Sequence, residues 1–99
     1  MGTVTMSQDW LALARVRART LARNHEQLVR SAPGLLGVES VPSLLITLWD
    51  ALGTPSREAC RDALRLLAHP QVLAACDARL LCQTTTCVRT ALWHLERSA

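Results

Sequence analysis

The segment ACRDALRLL, residues 59–67, recurs 28 positions later as CVRTALWHL, residues 87–95. Small or apolar residues fill the first two positions of both copies, and the Arg, the Ala, the next Leu and the final Leu are identical. Internal repetition of this kind is typical of helical proteins whose successive units bury the same face. We therefore expect both segments to be helices that share one apolar side.

The composition of the whole chain predicts an all-α fold. Hydrophobic residues make up 49% of the chain, there is no Phe or Tyr, and only three Trp are present. Most of the apolar residues are Leu and Ala, which favour helices, whereas the aromatic and β-branched residues that favour strands are few. At 99 residues, the chain is long enough for one small domain, so we expect residues 1–99 to form a single helical domain.

The N-terminal third of the sequence predicts one long amphipathic helix. Residues 1–6 are expected to be flexible, and Ser7 is a suitable N-cap for a helix over residues 8–31. Apolar side chains recur on one side of this helix, beginning with Trp10, and arginines recur on the other side. The Pro33-Gly34 pair ends the helix and begins a short linker.

The remainder, residues 41–97, predicts four shorter helices. Ser40 is a suitable N-cap for a densely apolar helix over residues 41–52, which Gly53 ends. The pair Thr54-Pro55 is then expected to begin a third helix that continues to about His69.

Two further helices complete this predicted array. Pro70 opens a fourth helix, expected over residues 71–81. The polar run QTTT, residues 83–86, is expected to break or cap the chain, so that the fifth helix extends from Cys87 to about Arg97.

The order of motifs in this region resembles an armadillo repeat, with HEAT as a close relative. An apolar helix, PSLLITLW at residues 42–49, leads through a tight turn into REACRDALRLLA at residues 57–68. In that family a middle helix of the PxLLxxL kind precedes a third helix of the EAxxxALxxLA kind. The resemblance covers about residues 41–95, and residues 87–95 look like the next third helix. The offset between the copies is shorter than the roughly 40 residues of such units, which indicates a truncated terminal repeat.

The resemblance implies a non-catalytic protein-binding scaffold or adaptor, usually with a groove lined by the third helices. The two matching helices differ most where one has Arg65 and the other has Trp93, and tryptophan is a common interface anchor. We therefore expect Trp93, Arg65, Arg61 and Arg89 to contact another protein. Because repeat units stack on neighbours, the chain is also a candidate fragment or short isoform of a larger helical-repeat protein.

A row of arginines on the first helix predicts a second contact surface. Arg15, Arg19 and Arg23 follow one another at intervals of four residues, which places them on one side of a helix. This row is consistent with a solvated polar face, with a site for an acidic protein or with a site for nucleic-acid phosphates. Arg17 falls inside the apolar arc and weakens the amphipathic pattern.

The charge of the chain leaves two alternatives open. The net charge is +3, and all eleven Lys and Arg positions are Arg. Arginine in place of lysine is typical of GC-rich coding sequences and also suits bidentate contacts with carboxylates or phosphates. One alternative is a small basic helical protein associated with nucleic acid, and the other is a mitochondrial protein with an Arg-rich targeting helix.

The sequence contains no signature of a catalytic site, a metal site or a cofactor site. The candidate metal ligands are irregularly spaced, and Cys60, Cys76 and Cys87 lie at apolar helix positions. These candidates are His69, Cys76, Cys82, Cys87 and His94. Because neither a secretory signal nor a membrane-spanning run is recognisable, we expect free thiols and a cytoplasmic or nuclear location.

Overall fold

The computed structural model describes residues 3–31 and 41–98, together with the side chains of residues 9–31 and 41–97. These residues form five α-helices and, within the described ranges, no strand. The helices are α1 (Thr3–Ser31), α2 (Val41–Ala51), α3 (Arg57–Leu67), α4 (Pro70–Ala75) and α5 (Ala78–Ser98). The prediction of an all-α fold with a long N-terminal helix is confirmed.

The long helix α1 begins earlier than predicted. Residues 3–6 are already helical, so Ser7 lies inside α1 rather than at its N-cap. Neither glycine nor proline interrupts residues 3–7, so the sequence offers no breaker at the predicted start. The helix ends at Ser31, as expected. The predicted linker and the predicted cap Ser40 lie outside the described residues.

Helix α3 begins two residues after the predicted Thr54-Pro55 start. Ser56 is its N-cap, and the Ser56 hydroxyl accepts a hydrogen bond from the backbone N–H of Ala59 at 3.0 Å. This bond satisfies one of the N–H groups that a helix leaves free at its first turn. The helix ends at Leu67, slightly before the predicted end at His69.

The boundary between the last two helices was predicted at the wrong place. The chain breaks at residues 76–77, where the Asp77 carboxylate accepts a hydrogen bond from the N–H of Leu80 at 3.0 Å and caps α5. The run QTTT lies inside α5. The hydroxyls of Thr84 and Thr86 donate to the carbonyls four residues earlier, at 2.8 and 2.9 Å. These threonines therefore satisfy their own polar groups within the helix instead of ending it.

Four packed pairs among the longer helices build the core, namely α1–α5, α1–α2, α2–α3 and α3–α5. Along the α1–α5 pair, Arg17 of α1 donates to Gln83 at 2.8 Å, and His25, further along α1, approaches Ala75, which precedes α5. Helix α2 packs against α1 and α3, and α3 packs against α5. The fully buried side chains at the centre come from α1, α2, α4 and α5, namely Leu21, Leu48, Val41, Val72, Val88 and Thr84, with Cys60 from α3.

Candidate functional site

The two copies of the repeated segment bury corresponding positions. Cys60 and Ala63 of α3 are almost fully buried, and so are their counterparts Val88 and Ala91 of α5. This confirms that both segments are helices with one shared apolar side. The copies run in opposite directions, because Arg61 near the start of α3 contacts Glu96 near the end of α5 at 3.5 Å, whereas Leu67 at the end of α3 faces residues 82–89.

Trp93 occupies the exposed side of α5. Its side chain is 51% exposed, which is the outward orientation that Arg65 has at the matching position of α3. The ring of His94 meets the indole edge-on, with 4.8 Å between ring centroids. The guanidinium of Arg97 lies 4.5 Å from the centroid of the indole ring. An aromatic side chain of this size therefore presents much of its surface to solvent, beside a positive charge.

Arg89, Trp93 and Arg97 form a single row, since they follow one another at intervals of four residues. Arg89 also borders a shallow hollow between α4 and α5, together with Leu73 and Cys82. Leu73 is 55% exposed. We call this surface, from Leu73 and Cys82 through the row, the α5 face. Leu73 was absent from the predicted contact residues, because its neighbours Val72 and Ala74 are also apolar and gave no signal that separates it from a core residue.

The predicted contacts Arg61 and Arg65 are both held in exposed ion pairs. Arg61 pairs with Glu96 of α5 at 3.5 Å, and Arg65 pairs with Asp62 of its own helix at 3.3 Å. Exposed pairs of this kind contribute about 0–1 kcal/mol, so a partner can displace them at little cost. Arg61 therefore lies at the α3–α5 seam, and Arg65 lies on the outer side of α3.

The three arginines of the predicted row on α1 differ in how far they are exposed. Arg19 and Arg23 are exposed, but Arg15 is half-buried against α2. The Arg15 guanidinium lies 3.5 Å from the centroid of the Trp49 ring, and its Nε donates to the Trp49 carbonyl at 3.2 Å. Gly53 permits this approach, because a Cβ there would lie 3.0 Å from Arg15 Nη2. Arg15 is therefore held against α2, unlike the exposed Arg19 and Arg23, and its contact with a partner stays a prediction.

An open groove runs between α1 and α2, beside these arginines. It consists of two adjoining hollows, one bordered by Val16 of α1 and the other by Ile46 of α2, which are 62% and 63% exposed, and half-buried Trp49 lines both. Sequence reasoning missed this groove. The signal was Val16, an apolar residue inside the basic sector of α1, which the helical periodicity does not explain.

The polar groups in the interior are incompletely paired. Arg17, the residue that weakened the amphipathic pattern, donates to Gln83, while its Nε atom is buried without a hydrogen-bond partner. His25 is 3% exposed, and its Nδ1 lies 3.5 Å from the Ala75 carbonyl. Both contacts join α1 to α5 or to Ala75, which precedes α5.

The cysteines are free thiols, and Cys60, Cys76 and Cys87 are buried while Cys82 is exposed. Burial raises the pKa of the Cys60 and Cys76 thiols, which disfavours the reactive thiolate. The Nδ1 atom of His69 accepts a hydrogen bond from the Gln71 N–H at the start of α4. Within the described ranges, no three His, Cys, Asp or Glu side chains are grouped so that they could hold a metal ion.

Comparison with known proteins places the chain in no family. No family model matches it, and neither a curated protein nor a solved structure is detectably similar to it. In the part of the chain that the structure describes, none of the helices combines the length and the apolar character needed to cross a bilayer.

Proposed function

We propose that this chain is a non-catalytic protein-interaction module that binds another protein through the α5 face. The observation that carries this proposal is the exposure of Trp93, which lies in a row with Arg89 and Arg97. Tryptophan and arginine are enriched among the residues that dominate binding energy at protein interfaces. Exposed Leu73, which borders the same hollow as Arg89, adds apolar area that a partner would bury.

Arg61 and Arg65 would contribute at the edge of the same interface. Their ion pairs are exposed, so exchanging Glu96 or Asp62 for a carboxylate of the partner changes the free energy little. We therefore expect these arginines to affect the rate of association and its salt dependence more than the final affinity.

The armadillo/HEAT relationship is proposed only as a shared packing rule. Corresponding positions of α3 and α5 are buried, which supports common ancestry of the two segments. In a regular stack, equivalent helices of successive units run in the same direction. Here they run in opposite directions, so the pair supports a compact helical domain better than a stretch of solenoid.

The test is affinity capture with the full chain as bait, followed by identification of the bound proteins. We expect Trp93→Ala to lose at least one specific partner that the wild-type chain retains. Leu28→Ala is the matched control, because Leu28 is an exposed apolar residue of α1, 41% exposed. Equal capture by wild type and Trp93→Ala would refute binding through the α5 face.

Nucleic acid is the second candidate partner, favoured by the exposed Arg19 and Arg23 and by the net charge of +3. Binding to phosphates releases counterions, so its affinity falls steeply as salt rises. Fluorescence anisotropy with labelled duplex and single-stranded DNA at low and physiological salt distinguishes the two candidates. Tight, salt-sensitive binding to either strand form would favour nucleic acid over a protein partner.

A further inference from the structure

The groove between α1 and α2 is a second surface, separate from the α5 face. Two adjoining hollows, which share Arg19 and Trp49 in their lining, are bordered by apolar side chains. These side chains are Val16, Ala18 and Ala22 of α1, with Leu45, Ile46 and Trp49 of α2. We call this set the α1–α2 groove. Val16 and Ile46 are 62% and 63% exposed, so each of the two hollows has one uncovered branched apolar side chain at its border.

The rim of the α1–α2 groove carries positive charge on its α1 side. Arg19 and Arg23 are exposed and border the groove one helical turn apart. Among the described residues that line the groove, none is acidic. Arg15 is engaged by Trp49, which leaves Arg19 and Arg23 to meet a ligand. An occupant that covers the apolar floor would therefore gain most from carboxylates spaced to meet these two guanidinium groups.

We propose that the α1–α2 groove binds an amphipathic helix of another protein that carries acidic residues along one edge. The α1 side of the groove extends from Ala12 to Arg23, which is about 16 Å at the helical rise of about 1.5 Å per residue. This length accommodates about three turns of helix. Apolar residues at positions i, i+4 and i+7 of the ligand would contact Val16, Trp49 and Ile46, as in other helix-in-groove complexes.

The groove favours this ligand over a nucleic acid. One face of the Trp49 ring is already covered by the Arg15 guanidinium, which removes the stacking platform that single strands use. The floor between the arginines consists of alanine and branched apolar side chains, which gain more from an apolar helix face than from a phosphate backbone.

The groove also favours a different protein over a second copy of this chain. In a second copy, Glu58 and Asp62 of α3 are four residues apart and could form the acidic edge of the bound helix. However, every exposed residue of α3 is charged, and its apolar residues are half-buried or buried. This helix therefore offers no apolar anchor beside its carboxylates.

The test uses a phage-displayed library of 12-residue helical peptides, selected on the biotinylated full chain. We expect the enriched peptides to carry apolar residues at positions i, i+4 and i+7. They should also carry two acidic residues, Asp or Glu, four positions apart along one edge of the helix. One enriched peptide, labelled with fluorescein, then gives affinities by anisotropy. Absence of enrichment, or enrichment without an acidic edge, would overturn the proposal.

Matched variants locate the bound peptide. Ile46→Asp should weaken binding by about tenfold or more, because it removes an anchor and adds a like charge. Leu73→Asp places the same change on the α5 face at similar exposure and should leave binding unchanged. Ile46→Ser serves if circular dichroism shows that Ile46→Asp unfolds. Unchanged affinity in the Ile46 variant would place the peptide elsewhere and overturn the proposal.

The charge on the rim is tested separately. The double change Arg19→Gln with Arg23→Gln should weaken binding about threefold or more at low salt, and this difference should shrink at high salt. Displacement of the peptide by a single-stranded oligonucleotide would assign the groove to nucleic acid. Concentration-dependent dimerisation that Ile46→Asp abolishes would assign it to a second copy. Trp93→Ala should not affect peptide binding, so this proposal and the one for the α5 face fail independently.

Discussion

Two arginine–tryptophan pairs in this protein make the same kind of cation–π contact in different surroundings. In the first, Arg15 of α1 lies 3.5 Å from the ring centroid of Trp49 of α2 and also donates to the Trp49 carbonyl. In the second, Arg97 and Trp93 belong to one helix, 4.5 Å apart, and Trp93 is 51% exposed. The first pair joins two helices, whereas the second joins two neighbouring turns.

The difference shows how local surroundings decide whether an aromatic side chain contributes to stability or remains available for binding. Cation–π contacts contribute about 0.5–1 kcal/mol at exposed sites and about 2 kcal/mol where water is excluded. Half-buried Trp49 also packs against the core, so its loss would leave a void. Trp93 gains less from its own helix, because half of its side chain remains exposed to solvent.

The largest expected effect comes from removing the tryptophan between helices. Trp49→Ala should lower the free energy of unfolding by about 2–3 kcal/mol. This loss is somewhat smaller than that for a fully buried aromatic side chain, which is about 3–5 kcal/mol. Urea denaturation followed by circular dichroism measures this loss. Trp93→Ala is the matched control and should cost less than about 1 kcal/mol, because half of that side chain is already exposed. Equal losses would contradict the distinction between the two pairs.

The next effect comes from removing the cation of the same pair. Arg15→Ala should lower the free energy of unfolding by about 1–2 kcal/mol, because both the ring contact and the hydrogen bond to the Trp49 carbonyl are lost. Arg15→Lys should recover only part of this loss, since an ammonium lacks the flat guanidinium that stacks on a ring. Arg19→Ala, an exposed neighbour on α1, is the control and should change stability by less than about 0.5 kcal/mol.

A smaller effect tests how closely Gly53 and Arg15 are coupled. In Gly53→Ala the new Cβ would lie 3.0 Å from Arg15 Nη2, so the guanidinium would have to move away from the ring. We expect a coupling of about 0.5 kcal/mol in a double-mutant cycle with Arg15→Ala. The glycine substitution should therefore be less damaging once the arginine is gone. Additive effects would mean that Gly53 does not help to position Arg15.

The contrast between the pairs also explains which features the sequence could predict. Helical periodicity identified the buried sides of α3 and α5, because each depends on residues three and four positions apart. The same periodicity placed Arg15 on the solvent side. Its inward position depends on Trp49 and on the missing side chain of Gly53, which are more than 30 residues away. Such a contact has no signature in a helical pattern.

The threonines of α5 show a second reason for failure. Residues 83–86 read as a break because threonine often caps helices. In the folded chain the hydroxyls of Thr84, Thr86 and Thr90 donate to carbonyls of their own helix, and Thr84 is fully buried. The choice between these two uses of a hydroxyl depends on tertiary packing. The exposure of Trp93, in contrast, agrees with the outward orientation of Arg65 at the matching position.

The smallest effect is expected at the second pair. Arg97→Ala should lower the free energy of unfolding by no more than about 0.5 kcal/mol, because its contact with Trp93 is exposed and water competes for the cation. Some of that loss reflects the favourable position of a cation in the last turn of α5. Arg97→Lys separates the two contributions, since it keeps the charge but weakens the stacking. If Arg97→Ala instead matched the loss from Arg15→Ala, the α5 pair would be structural. Trp93 would then be held in place by its own helix rather than left free for a partner.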